Sequence, residues 1–75
     1  MVIEKVTLPV ARKIAGMTQK DLAAAIHVSE STIIKWEKGR GEPSVSKAIA
    51  IGKAVGIPYD NIVFTPKYGL TVFQD

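Results

Sequence analysis

Apolar residues in this chain fall mainly at helical spacing, and each apolar stretch is bracketed by residues that start and stop helices. Thr7 can cap a first helix with Pro9 in its opening turn, where a missing N–H is harmless, and Gly16 can take the left-handed position that ends it. That predicts a helix from about Leu8 to Ala15. Thr18 followed three residues on by Asp21 reads as a capping box, and Leu22, Ala23 and Ile26 supply a helical stripe that ends at Ile26. Ser29 is the next cap, with Glu30 in the first turn, and a third helix runs from Glu30 to Lys38 before Gly39. Gly41-Glu42-Pro43 is a loop leading to the Ser44 cap; Val45, Ala48, Ile49 and Gly52 then share one face until Gly56, and Ile57 makes the apolar contact that follows. Pro58-Tyr59-Asp60 opens a short fifth turn through Ile62. The segment Val2–Val6 and the tail from Val63 to Phe73, with its alternating Leu70-Thr71-Val72, read as strands, so the two ends can pair. The expected class is all-α, five helices in one compact domain, with a short β-pair from the ends.

At 75 residues the chain is one domain, with a core over 8–62, a motif over 18–38 and a tail over 63–75. The absence of cysteine removes disulfide scaffolds, thiolate metal sites and cysteine nucleophiles, and suits a reducing compartment. The apolar start Met1-Val2-Ile3 is broken at once by Glu4 and Lys5, so neither a signal peptide nor a membrane span is read there, and cytoplasm or nucleoid is the expected location. One histidine and no cysteine assemble no metal set and no nucleophile with its base, so an enzyme is not expected and no cofactor or metal is called for. The net charge of +3 changes the picture through its distribution. Lys35, Lys38, Arg40, Lys47 and Lys53 lie close together in sequence, opposed by Glu37 and Glu42, and such a concentration favours a polyanionic partner.

The spacing of the second and third helices is the most informative feature, since His27-Val28-Ser29 alone separates Ile26 from Glu30. So short a turn forces a steep crossing. Val28 and Ile33 can plug the inside of the corner, and Ala23 and Ala24 let the helices approach. In the third helix Ile33, Trp36 and Glu37 stand at i, i+3 and i+4 and face inward, which leaves Glu30, Ser31, Ile34 and Lys35 pointing out. Those four can read a duplex: Lys35 donates to guanine or phosphate, Glu30 accepts from cytosine N4, Ser31 does either, and Ile34 meets a thymine methyl. Trp36, at this spacing, belongs to the core rather than to a stacking surface.

Residues 11–57 resemble the Cro and phage-repressor (XRE-like) helix-turn-helix family. The resemblance rests on Arg12, Thr18-Gln19-Lys20-Asp21-Leu22-Ala23, Val28-Ser29, Thr32-Ile33, Trp36-Glu37-Lys38-Gly39 and Glu42-Pro43-Ser44, at that family's offsets. It implies base reading by Glu30, Ser31 and Lys35, and a structural pair between Arg12 and Glu37. His27 departs from the pattern, which usually has glycine where the helix must end in a left-handed conformation. Gln19, in the first turn of the second helix, is expected at a phosphate, and Thr32, Lys38, Arg40, Ser44 and Lys47 are further phosphate candidates.

The expected function is therefore a sequence-specific transcriptional regulator of double-stranded DNA, of the small phage or prophage repressor type. A homodimer on DNA is expected because one such domain covers a half-site, with Ile62, Val63, Phe64, Leu70, Val72 and Phe73 of the tail as its interface or as cover for the domain's own core. The alternative is a protein-interaction module, an antitoxin or antirepressor, that binds a protein partner through the tail. The clustered Lys35, Lys38 and Arg40 favour the first reading.

Overall fold

A computed structural model describes residues 5–64. The chain enters through β1 (Val6–Thr7), continues directly into α1 (Leu8–Ile14), and then forms α2 (Gln19–Ile26), α3 (Glu30–Glu37) and α4 (Val45–Val55). A single 3₁₀ turn (Tyr59–Asn61) leads to β2 (Ile62–Val63). The described residues therefore form four α-helices rather than five. After Pro58 the Asn61 N–H bonds back to the Pro58 carbonyl at 2.9 Å, and Ile62 is already extended with φ −111°, so the fifth helix stops after one turn. The short β-pair expected from the ends is present as a small parallel sheet, Val6 opposite Ile62 and Thr7 opposite Val63. The rest of the predicted terminal strands, residues 2–4 and 65–73, lies outside the described residues.

Each helix starts on the hydroxyl that the sequence predicts. Thr7, Thr18, Ser29 and Ser44 accept from the N–H groups of Val10, Asp21, Thr32 and Lys47, which satisfies donors that a helix N-terminus otherwise leaves unpaired. At Thr18 the box is complete: Asp21 N donates to Thr18 Oγ1 and Thr18 N donates to Asp21 Oδ2, both at 2.9 Å. The Thr18 backbone N–H, then its side chain, then the nearby Lys20 charge hold the Asp21 carboxyl below the ordinary aspartate range. Helices α1 and α3 each end one residue earlier than predicted, an ordinary fraying difference.

The core gathers Leu8 and Ala11 of α1, Leu22, Ala23 and Ile26 of α2, Ile33 and Trp36 of α3, Ile51 and Val55 of α4, and Ile62 of β2. Leu8, Leu22, Ile33 and Ile51 are its fully buried large side chains, each contributing roughly 1.5–3 kcal/mol by leaving water. Ala23 is buried in the core, whereas Ala24, expected beside it, is exposed. The buried face of α4 also differs from the expected one. It is Ala48, Ile51, Gly52 and Val55, while Val45 is 67% and Ile49 37% exposed. The two stripes share Ala48 and Gly52, and the chain reversal packs at the second of these: a Cβ on Gly52 would stand 2.8 Å from the Ile57 carbonyl oxygen and 3.0 Å from Tyr59 N. The Ile57–Tyr59 backbone lies directly on Gly52, so that side of α4 turns inward.

Two outcomes follow from this packing. Gly52→Ala drives a methyl against backbone that cannot move freely, and loses about 1–3 kcal/mol in chemical denaturation, whereas Lys53→Ala on the exposed side leaves the midpoint nearly unchanged. Because the folded state lowers the Asp21 pKa, its stabilisation is complete above the unfolded carboxyl pKa and is lost as pH falls through the folded one. Asp21→Asn is therefore less stable near neutrality and flatter in a plot of stability against pH between about pH 5 and pH 2. Parallel wild-type and variant curves in that window would refute the assignment.

Candidate nucleic-acid interface

The corner between α2 and α3 is built by backbone geometry. Helix α2 ends at His27, which sits in the left-handed region with φ 62° and ψ 47°. That conformation lets the His27 and Val28 N–H groups turn back onto the Ala24 and Ala23 carbonyls at 3.4 and 3.0 Å. Two residues later Ser29 is extended and caps α3; its Oγ accepts from Thr32 N at 3.1 Å and lies 2.8 Å from Thr32 Oγ1 and 3.1 Å from Ser31 Oγ. The bend is thus closed from both sides within three residues.

The rotation of α3 about its axis follows from what it buries. Ile33 is 0% and Trp36 8% exposed, and both belong to the core. Glu30, Ser31 and Lys35 are exposed and Ile34 is half-buried, so these four form the opposite face. The methylene stem of Lys35 passes Gly41, where a Cβ would be 3.7 Å from Lys35 Cε, so Lys35 keeps company with the loop that carries exposed Lys38 and Arg40. The Arg40 N–H bonds to the Lys35 carbonyl at 3.0 Å, which fixes that loop to the end of α3.

Glu37, on the inward side, is held by two side chains. Arg12 Nε donates to Oε2 at 2.7 Å, Arg12 Nη2 to Oε1 at 3.2 Å, and Gln19 Nε2 to Oε1 at 3.0 Å. Arg12 Nη1 donates in addition to the Met17 carbonyl at 3.0 Å. The side chains of Arg12 and Glu37 are 10% and 7% exposed. Such a pair is strongly attractive but expensive to desolvate; what it supplies above all is a fixed relation between α1, the start of α2 and the end of α3.

The predicted phosphate candidates divide into two groups. Lys38 and Arg40 are exposed beyond α3, while Gln19, Thr32, Ser44 and Lys47 all hold partners within the protein. Ser44 accepts from Lys47 N at 3.2 Å, and Lys47 Nζ donates to the Ile26 carbonyl at 2.8 Å. Gln19 bonding to Glu37 and Lys47 bonding to Ile26 were missed at the sequence level. Their separations of 18 and 21 residues carry no periodic signal, although a lysine three residues after a Ser cap, where a glutamate is favoured, was a usable hint.

The profile of the helix-turn-helix family matches residues 10–62, from within α1 through α2, α3, α4 and the 3₁₀ turn. The chain belongs to the helix-turn-helix family. An uncharacterized HTH-type transcriptional regulator of Methanocaldococcus jannaschii is 41% identical over 51 residues, 68% of this chain and 77% of that protein. A second, of Methanothermobacter thermautotrophicus, is 42% identical over 53 residues, 71% of this chain and 77% of that protein. The transcriptional activator BcrR of Enterococcus faecalis is 33% identical over 48 residues, 64% of this chain but 24% of its own length. No solved structure matches significantly.

This geometry separates two kinds of arginine and lysine. Arg12→Ala leaves the Glu37 carboxylate buried without its counter-charge and loses about 3–5 kcal/mol, while Lys35→Ala removes an exposed side chain and leaves Tm nearly unchanged. Thermal melts of the two variants check this; equal losses would show that Lys35 is part of the frame or that the Arg12 pair is not.

Proposed function

We propose that this helix-turn-helix protein, by family a DNA-binding transcriptional regulator, lays α3 in the major groove and reads base edges with Glu30, Ser31, Ile34 and Lys35. The observation that carries the reading is the rotation of α3: with Ile33 and Trp36 anchored in the core, those four side chains occupy its outer face. An α-helix fits the major groove, and this set offers an acceptor for cytosine N4, a cation for guanine O6 and N7, a hydroxyl and an apolar contact for a thymine methyl. Ile34 favours a partner surface as well, because it is a half-buried apolar residue on the outer helix face that does not pack against the core.

Lys38 and Arg40 flank this face and are the natural phosphate contacts, joined by Lys35 where it does not reach a base. The second amide N–H of Gln19, at the start of α2, adds a positioning contact beside the positive end of that helix. Neutralising about three to four phosphates per domain gives a log-log salt slope of roughly −3. A homodimer whose half-sites lie about one helical turn apart would raise specificity to a useful level. The tail residues divide here: Ile62 is buried in the domain's own core and Phe64 packs against it, while Leu70, Val72 and Phe73 lie outside the described residues. Repression follows wherever such a site overlaps a promoter, since a bound domain occludes it.

Selection from random duplex DNA at moderate salt tests the reading. We expect an enriched site, relaxed preference at one position for Lys35→Ala, and uniform weakening across sequences for Arg40→Ala with a salt slope smaller in magnitude by about one. Recovery of no enriched sequence would overturn the proposal.

A further inference from the structure

We propose that Lys47 is a positioning residue: its ammonium clamps the C-terminal carbonyl of α2 and thereby holds the α2–α3 corner, and with it the angle at which α3 meets DNA. The inference rests on the DNA-reading role of α3 proposed above.

Lys47 is electrostatically misplaced in its own helix. It occupies the third position of α4, where Ser44 accepts its backbone N–H at 3.2 Å, and a capping box would put a glutamate or glutamine there. A cation close to the positive end of a helix dipole is unfavourable, and α4 has no acidic residue in its first turn to offset it. The compensation lies across the helix boundary. Helix α2 has no basic residue in its own last turn, and Lys47 Nζ supplies one, donating to the Ile26 carbonyl at 2.8 Å in a partly buried setting.

The corner needs such a hold more than the other helix ends do. The helices α1, α3 and α4 are each followed by a glycine with φ between 74° and 77°, whereas α2 ends in His27 at φ 62°. A side chain with a Cβ is disfavoured in that region. The residue that Lys47 grips, Ile26, directly precedes His27, so the charge-assisted bond restrains the peptide that must stay in the disfavoured conformation. A lysine spent in this way is not a phosphate ligand, and that separates the proposal from the simpler reading of Lys47 as part of the basic surface.

The test compares wild type, Lys47→Met, Lys47→Arg and Lys47→Met/His27→Gly, with Lys47→Gln standing in for the methionine variant if circular dichroism shows that one unfolded. In native-state hydrogen exchange, loss of a charge-assisted bond makes the His27 and Val28 amides exchange about tenfold faster in Lys47→Met, with α4 core amides unchanged. The ratio of affinities for the selected site and for random DNA falls several-fold with the salt slope unchanged, and both Lys47→Arg and the added His27→Gly restore it. A salt slope smaller in magnitude by about one with the ratio intact would make Lys47 a phosphate ligand and overturn the proposal. A lowered Tm with the ratio and corner exchange unchanged would make it a merely structural contact and overturn it as well. If wild type selects no DNA sequence, the proposed function fails, and the exchange data still decide whether the clamp exists.

Discussion

A buried carboxylate must be neutralised, and in this domain that requirement decides how three helices meet. Glu37 sits on the inward side of α3, almost out of solvent, and takes donors from Arg12 of α1 and Gln19 of α2. A hydrophobic contact tolerates sliding; a bidentate pair with a 2.7 Å bond does not. Leu22, Ile33, Trp36 and Ile51 supply the driving force for collapse, but apolar packing alone would accept several rotations of α3 about its axis. With Glu37 held, one rotation remains, and it is the one that turns Glu30, Ser31 and Lys35 outward.

The frame and the basic surface beside α3 use chemically similar residues in opposite ways. Arg12, Gln19 and Lys47 could each serve a phosphate, yet all three donate to internal acceptors. Lys35, Lys38 and Arg40 are exposed. Burial and hydrogen bonding distinguish the two sets where composition and net charge do not, because a positive charge in the interior is affordable only against a paired acceptor. The basic patch is accordingly smaller than a count of cations between residues 35 and 53 suggests.

Local chemistry made much of this legible in the sequence. The four caps at Thr7, Thr18, Ser29 and Ser44 are short-range rules, and they located every helix start. The i, i+3, i+4 spacing of Ile33, Trp36 and Glu37 was enough to orient α3. What failed depended on distant chain segments. The α4 stripe was half right: Ala48 and Gly52 are buried as expected, but Ile51 and Val55 join them in place of Val45 and Ile49, and the Ile57–Tyr59 backbone that packs at Gly52 arrives from the next turn. The fifth helix became one 3₁₀ turn because Ile62 is drawn into pairing with Val6, more than fifty residues earlier in the chain. The internal hydrogen bonds of Gln19 and Lys47 went unseen because their acceptors are unrelated to them in sequence.

Dividing the polar groups in this way has a consequence for how such a domain can change. The side chains at 30, 31, 34 and 35 lie outside the core, so exchanging them changes the chemistry of the outer face of α3 at small cost in stability. The corner is different. His27 occupies a backbone region that glycine fills more easily, and Lys47 stands where its own helix prefers an acid, so two local preferences are violated at neighbouring points in space. Each violation alone is a weakness; joined through Ile26 they form one restraint, in which the cation drawn to the end of α2 stabilises the bend that the histidine strains. A substitution at either site acts on the angle between α2 and α3 and only through that angle on the face of α3, which is why stability and recognition, separable along α3, are coupled at the turn.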